Sequence, residues 1–272
     1  MITCHLMGGL GNQLFQIFAS ISYAYKSNNT FNFLNVERLG DRFTFWNTFF
    51  SKLKPYLIQQ LPPLSIVSEN GFHYKDIQTS NFVQKNVILH GYFQSEQYFK
   101  EYYPQLYTLI DIDGMKNTLL QKINVDLTNS ISMHFRLGDY KYKQDYHPIA
   151  PYAYYEKELL HIQELYPMQF TIIYFCEEED VDYVVGMIDK LKQPFPQFTF
   201  TRGDNQLQDW EQMLFMSLCK HNIIVNSTFS WWGAYFNSNP TKIVCYPSLW
   251  FGPQIKHDTK DLCPPEWIKI NV

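Results

Sequence analysis

The sequence predicts an α/β fold, with a mainly parallel sheet and helices on both of its faces. Three observations support this prediction. Runs with a two-residue apolar period alternate with runs of helical period through the second half of the chain. The chain opens with a strand, a glycine-rich turn and a helix. Its 272 residues are 46% hydrophobic and 18% charged, which excludes a disordered chain and allows two domains.

The first half begins with a predicted strand at 2–7 and a tight turn at 8–13. Apolar residues then recur at helical spacing from Leu14 to Tyr25. The aromatic segment 35–84 contains three prolines and is predicted to be irregular. Beyond it, the patterns predict a strand at 87–93, a turn at 111–114 and a helix at 115–123.

The second half alternates more regularly. Its predicted strands are 130–135, 170–175, 198–201, 223–225 and, as the last strand, 243–246. Its predicted helices are 152–165, 181–191, 209–219 and the short 231–236. The polar segment 124–129 marks the expected boundary between domains 1–126 and 127–272. Ligands of such sheets bind at the carboxyl ends of the strands.

Composition also excludes several classes of protein. A net charge of −4 argues against nucleic-acid binding, which needs a basic surface. No apolar run reaches the roughly 18 residues that a membrane span needs. The amino terminus has no basic segment or cleavage site typical of a signal peptide. Five scattered cysteines suit thiols in a reducing compartment, and we therefore expect the protein to be cytoplasmic.

The most informative segment is His134–Tyr140, HFRLGDY. Arg136 follows a predicted strand, where its planar guanidinium is well placed to hold a diphosphate. In the alternative interpretation, Arg136 and Asp139 form an ion pair that only stabilises the turn. His134 points away from Met133 and Phe135, so it is either a buried structural histidine or a catalytic one. Asp139 is a second candidate for a general base.

Two glycine- or serine-rich turns are candidate ligand contacts. The turn Gly8–Gln13 allows a close approach of backbone to a ligand, or is an ordinary strand-to-helix turn. It lacks the third glycine of a dinucleotide fingerprint and the Gly-Lys-Ser/Thr of a P-loop. In Asn226–Ser230, hydroxyl side chains precede a helix, where they cap it and direct donors at a phosphate, or cap it without a ligand.

Acidic segments give weaker signals. Asp111-Ile112-Asp113 and Asp180-Val181-Asp182 both have the D-x-D spacing of some metal sites, but this spacing arises often by chance. We expect no metal site. The glutamates at 177–179 are interpreted as a charged helix start, and 139–143 as a solvated loop.

Three segments, Gly8–Gln16, His134–Tyr140 and Cys219–Gly233, occur together in this order. With them the chain resembles the α-1,2-fucosyltransferases of glycosyltransferase family 11, and the resemblance covers nearly the whole chain. It implies a GT-B-like fold of two Rossmann-like domains with the active site in the cleft between them. It also implies an acceptor-binding domain at 1–126 and a GDP-fucose-binding domain at 127–272.

The implied reaction moves L-fucose from GDP-fucose, with inversion, to the 2-hydroxyl of a galactose-containing glycan, without metal or cofactor. The resemblance assigns the β-phosphate and the departing GDP to Arg136. It also assigns further donor contacts, which are Gly11, Asn12, Asn226, Ser227, Thr228, Phe229 and Ser230. Asp139 and His134, and less strongly His5, are the nominees for a base. Leu137 stands where many relatives have a second basic residue, so the expected diphosphate site has one arginine.

Alternatives to this function are a transferase for another 6-deoxyhexose or linkage, and a nucleotide-sugar- or carbohydrate-binding protein without turnover. A nicotinamide-dependent oxidoreductase is disfavoured by the incomplete glycine fingerprint.

Overall fold

The computed structural model describes residues 1–82 and 85–272, so the end of the aromatic segment predicted at 35–84 lies outside the described residues. The chain forms two compact units. One comprises Met1–Met115 with His257–Pro264, and the other comprises Lys116–Lys256 with Pro265–Val272. Both units contain parallel sheets and helices, which confirms the predicted α/β class.

The first unit has seven strands among the described residues: β1 (Ile2–Cys4), β2 (Phe33–Leu34), β3 (Arg38–Leu39), β4 (Arg42–Phe43), β5 (Leu57–Ile58), β6 (Ser65–Ser68) and β7 (Val87–His90). Its main sheet is parallel, in the order β1-β7-β6. The other strands pair as β2 with β5 and as the antiparallel hairpin β3–β4. Short 3₁₀ helices at Ser51–Tyr56, Thr79–Phe82, Glu96–Tyr98 and Lys100–Tyr102 connect them.

Three helices accompany these strands: α1 (Leu10–Lys26), α2 (Tyr103–Ile110) and α3 (Ile112–Leu120), within which the first unit ends. α1 begins four residues earlier than its apolar pattern suggests. α2 was not predicted, since it is short and has Pro104 in its first turn. The turn predicted at 111–114 is wrong beyond Asp111. Only Asp111 has left-handed backbone (φ 64°), and its carboxylate accepts a bond from the Gly114 amide at 3.3 Å inside α3.

The second unit is a six-stranded parallel sheet with four more helices. Its strands are β8 (Ser130–His134), β9 (Thr171–Phe175), β10 (Thr199–Arg202), β11 (His221–Ile223), β12 (Val244–Pro247) and β13 (Ile268–Ile270). Its helices are α4 (Tyr152–Leu165), α5 (Val181–Lys192), α6 (Asp209–Leu218) and α7 (Thr228–Tyr235). β12 is not the last strand, because β13 pairs beside it, and β11 begins two residues earlier than predicted.

The strand order is β10-β9-β8-β11-β12-β13. Counted from β8, this is 3-2-1-4-5-6, the order of dinucleotide-binding Rossmann sheets. The chain winds outward from β8 in one direction and then continues from β11 in the other. The carboxyl ends of β8 and β11 therefore flank the switch point, where open parallel sheets bind their ligands.

Both faces of this sheet are covered. Ile131, Met133 and Phe135 pack against apolar residues of α4 and α5. On the alternate face, the amide of Asn222 donates to the Ser132 hydroxyl and to the Met216 carbonyl of α6, both at 2.7 Å. Successive strand residues point to opposite faces, so alternate residues of β8 make apolar contacts on one face of the sheet and polar contacts on the other. Its period-2 pattern was predicted, and its burial on both faces places its carboxyl end rigidly.

Candidate active site

The loops after β8 and β11 form the candidate site of the second unit. Met133 and Ile223 are paired in register, so both strands end at the same edge of the sheet. Arg136 lies two residues beyond β8, and the segment Asn226–Ser230 begins three residues beyond β11. The structure thereby brings together two of the motifs that the sequence predicted to be functional.

Tyr140 joins these two loops. Its hydroxyl donates to the backbone carbonyl of Asn226 at 3.1 Å, and its ring lies 5.1 Å from the guanidinium carbon of Arg136. The ring also stacks on His147, with centroids 4.8 Å apart. The segment interpreted as a solvated loop is instead a 3₁₀ helix, Gly138–Tyr142, whose central tyrosine holds the site together.

Arg136 is paired with two carboxylates. Its NH2 group donates to Asp139 at 2.6 Å, and its NH1 group donates to Glu177, which follows β9. Burial disfavours the charged guanidinium, but Glu177, Tyr140 and Asp139 outweigh it, so the pKa of Arg136 is raised. The ion pair with Asp139 is the one predicted by the alternative interpretation, in which Arg136 and Asp139 stabilise the turn. It also fixes a permanent cation at the switch point.

Asp180 anchors the turn that carries Asp139. Its carboxylate is buried, accepts the Gly138 amide at 2.9 Å and pairs with Lys141. Gly138 has φ 39°, and a Cβ there would lie 2.7 Å from Oε2 of Glu177, so glycine suits both the backbone and the close approach. Glu177 and Asp180 were not predicted to lie at this site. Their position follows from the pairing of β8 with β9, which brings the loop after β9 beside the loop after β8.

His134 is buried at the end of β8. Burial, and then the charge of Arg136, lower its pKa to about 3, so the imidazole is neutral at physiological pH. Its Nδ1 atom has no hydrogen-bond partner, and its ring lies 5.7 Å from that of Phe229. A group with such a pKa is a weak proton acceptor, which counts against His134 as the base.

The segment Asn226–Ser230 combines anchoring and exposed positions. The amide of Asn226 donates to the carbonyls of Pro148 at 2.9 Å and Trp250 at 3.1 Å. Ser227 caps α7 by accepting the Phe229 amide at 3.3 Å, as its sequence position predicted. Ser230 is buried, whereas Thr228 and Phe229 are partly exposed. Within this segment, the partly exposed pair is the part open to solvent.

Two lysine side chains bind the carboxyl end of α7. Lys116 donates to the carbonyl of Phe236 at 2.5 Å, and Lys242 donates to that of Ala234 at 2.8 Å. Cations at this end complement the helix dipole, whose amino end begins at Thr228 beside the switch point. The polarity of α7 is thus suited to an anion near its first turn.

Gly11 and Asn12 lie in the first unit, in the first turn of α1. The turn before them is reduced to Gly8 and Gly9. Gly8 has φ 74°, and a Cβ there would lie 2.4 Å from the side-chain amide nitrogen of Asn12. The side-chain oxygen of Asn12 accepts a hydrogen bond from the side-chain amide of Gln94 at 2.9 Å. In this structure, the close approach at this turn is therefore between the backbone of Gly8 and the side chain of Asn12.

Among the described residues, Glu177, Glu179 and Asp180 bring carboxylate oxygens within 4.8 Å of one another. Asp180 is already engaged by Lys141, and Glu177 by Arg136. The other D-x-D pair is also engaged: Asp111 pairs with Lys52 at 3.2 Å, and Asp113 accepts the Tyr107 hydroxyl at 2.7 Å. These contacts give structural partners to Asp111, Asp113, Glu177 and Asp180.

Comparison with known proteins places the chain among the glycosyltransferases, which transfer a sugar from a nucleotide-sugar donor to a glycan acceptor. Residues 2–271 match the family model described as Glycosyl transferase family 11, and the chain belongs to that family. The resemblance seen in the three sequence motifs is thereby confirmed. No helix in the described part of the chain has the length and apolar character of a membrane span.

Two curated relatives come from Escherichia coli. An alpha-1,2-colitosyltransferase is 27% identical, over 99% of each chain. The O-antigen biosynthesis glycosyltransferase WbnK is 28% identical, over 69% of this chain and 62% of the relative. A crystal structure of a glycosyl transferase family 9 protein from Veillonella parvula DSM 2008 aligns with a TM-score of 0.47 and 9% identity. That alignment covers 100% of this chain and 84% of the other.

Proposed function

We propose that this glycosyltransferase moves L-fucose from GDP-fucose to the 2-hydroxyl of a galactoside, forming an α-1,2 linkage with inversion. The observation that carries the proposal is Arg136, held at the switch point beside the amino end of α7. The α-1,2 linkage in the name of the colitosyltransferase supports the proposed linkage. The second unit would bind the donor and the first unit the acceptor.

In the proposed reaction the acceptor oxygen attacks C1 of fucose while the bond from C1 to the β-phosphate oxygen breaks. The electron pair of that bond stays on GDP, and Arg136 stabilises the added negative charge. The acceptor proton passes to a base, for which Asp139 is the proposed residue because its side chain is 40% exposed beside Arg136, whereas His134 is buried. We propose that no metal takes part, so Arg136 carries more of the electrostatic stabilisation.

Further donor contacts are proposed on both units. In the second unit the partly exposed Thr228 and Phe229 would face the nucleotide and phosphates, with Ser227 and Asn226 holding the loop in place. Ser230 would support the first turn of α7 through its bond to the Ser227 carbonyl at 3.3 Å. In the first unit, Gly11 and Asn12 would contact the donor.

A cytoplasmic location is also proposed, supported by the free thiols of Cys4, Cys219 and Cys245.

Colitosyl transfer is the second candidate function. Colitose is L-fucose without its 3-hydroxyl, and a relative that matches 99% of this chain is named for its transfer. A donor site that hydrogen-bonds the 3-hydroxyl of fucose would reject colitose, whereas a site without that contact would accept both sugars.

The deciding experiment offers the purified protein GDP-fucose, GDP-colitose and a UDP-sugar, each with a panel of galactosides, with and without EDTA. Released nucleotide is quantified, and the product linkage is determined by NMR. We expect EDTA-resistant release of GDP and an α-1,2-fucosyl galactoside. Exclusive use of GDP-colitose would establish the second function, and saturable GDP-fucose binding without transfer to any acceptor would indicate a binding protein.

A further inference from the structure

The guanidinium that would receive the donor is already occupied. One amino group of Arg136 donates to Glu177 and the other to Asp139. A nucleoside diphosphate carries at least two negative charges and would approach the same fork of donors. Two carboxylates and a diphosphate around one guanidinium leave a large excess of negative charge. At least one carboxylate must therefore move away as the diphosphate binds.

Glu177 is the group that can leave at least cost. Its side chain is 47% exposed, so its carboxylate reaches water without being left buried and unpaired. Asp139 has Lys143 as a second partner at 3.4 Å, which holds it beside the turn. Asp180 is buried and anchors the turn itself.

Neighbouring carboxylates also repel Glu177 once a diphosphate has bound Arg136. Carboxylate oxygens of Glu179 and Asp180 lie within 4.8 Å of the Glu177 carboxylate. In the present structure the guanidinium offsets their repulsion. When a diphosphate neutralises Arg136, Glu177 faces the Glu179 carboxylate and the diphosphate without that compensation, whereas Asp180 keeps its own ion pair with Lys141.

We propose that Glu177 determines donor affinity by acting as an internal competitor: it occupies Arg136 when no nucleotide is bound and is displaced by the diphosphate. This inference rests on the proposed function and adds a residue that opposes binding of the same ligand. By returning to Arg136 after transfer, Glu177 also promotes release of the nucleoside diphosphate product. Its two effects are weaker binding and faster dissociation.

The test compares dissociation constants of GDP and UDP, measured by calorimetry at one fixed salt concentration, for the wild type, Glu177→Gln and Glu178→Gln. Glu178→Gln is the matched control, since it removes the same charge at the next residue, from a 71% exposed side chain that pairs with Arg202 at 2.7 Å. We expect Glu177→Gln to tighten binding at least about fivefold and to slow dissociation, and the control to change affinity less than about twofold.

If Glu177 merely positioned Arg136, its substitution would change affinity in the opposite direction, because loss of a positioning residue weakens nucleotide binding. Unchanged or weaker binding by Glu177→Gln, in a variant whose melting temperature matches the wild type, overturns the inference. Glu177→Ala is the second variant and is expected to tighten binding as well. Binding of UDP in place of GDP would refute the proposed donor while the Glu177 comparison is still made with UDP. If neither nucleotide binds wild type or variants, both proposals fail.

Discussion

The hydroxyl of Tyr140 donates to the backbone carbonyl of Asn226 at 3.1 Å, across the switch point between β8 and β11. The two residues lie 86 positions apart and belong to the two motifs that flank this point. The same tyrosine ring lies beside the guanidinium of Arg136. The cation and the start of α7 are therefore positioned by one side chain.

Tyr140→Phe should lower kcat/KM for the donor by about 3- to 10-fold, since a lost hydrogen bond costs about 1 kcal/mol. The ring remains, so the melting temperature should change little. Tyr142→Phe is the control, because that side chain lies in the same 3₁₀ helix and is 87% exposed. Equal effects of both substitutions would show that the bond to Asn226 has no part in the reaction.

Arg136→Ala should lower kcat at least about a hundredfold, because it removes the cation proposed to stabilise the charge on the leaving diphosphate. Arg136→Lys should recover part of this loss, as it keeps the charge without the planar fork. Arg202→Ala, which removes an arginine paired with Glu178 at the end of β10, should leave kcat within about twofold. Near-normal turnover by Arg136→Ala would contradict the assignment.

Gly138→Ala should lower the free energy of unfolding by about 1–2 kcal/mol, because the residue has φ 39°, where a side chain is strained. The added methyl group would also press on Glu177 beside Arg136, so donor affinity should change. Gly186→Ala in α5 is the opposite case. A Cβ there meets nothing within 4 Å, so the melting temperature should rise. Thermal unfolding of the two variants measures this contrast.

Asn226→Asp should lower the free energy of unfolding by about 2–3 kcal/mol, since a carboxylate would replace the donor to the Pro148 and Trp250 carbonyls. Asn271→Asp makes the same charge change at an exposed position and should be nearly neutral. Denaturant unfolding distinguishes this anchoring role from a ligand contact. If Asn226 served the donor alone, KM would change while stability did not.

Glu158 should make stability depend on pH. Burial raises the pKa of its carboxyl to about 8, against weaker opposing contacts with Cys245 and Tyr154. Between the unfolded pKa of about 4.5 and pH 8, the unfolded chain loses a proton that the folded protein retains. Stability therefore falls with rising pH, by up to about 1.4 kcal/mol per unit, and levels off above pH 8.

Glu158→Gln removes this titration, so its melting temperature should fall less between pH 5 and pH 8 than that of the wild type. Glu164→Gln, on an exposed position of the same helix, should keep the wild-type pH profile. Parallel profiles for the wild type and Glu158→Gln would mean that the buried carboxyl does not carry the effect.

Local patterns predicted much of the second unit. α4 was predicted with its observed ends, and α5 and α6 within one residue, because each has an apolar face of helical period and a recognisable end. The helix cap at Ser227 also follows from local chemistry. Arg136 was proposed as a site residue because its strand, turn and charge are contiguous in sequence.

What was missed depends on contacts that are distant in sequence. β13 is only three residues long and forms by pairing with β12, so no local period reveals it. The pairing of Glu177 with Arg136 requires knowing that β8 and β9 are adjacent. A run of glutamates at a helix start has the same sequence whether or not one of them reaches an arginine 41 residues away.

The return of the chain to the first unit over His257–Pro264 has a consequence for recombination between relatives. The second unit is encoded in two pieces, because the segment that contains β13 follows His257–Pro264, which belongs to the first unit. A single crossover placed near residue 116 transfers His257–Pro264 together with the second unit. A chimaera that exchanges the sheet of β8–β13 cleanly therefore needs three junctions.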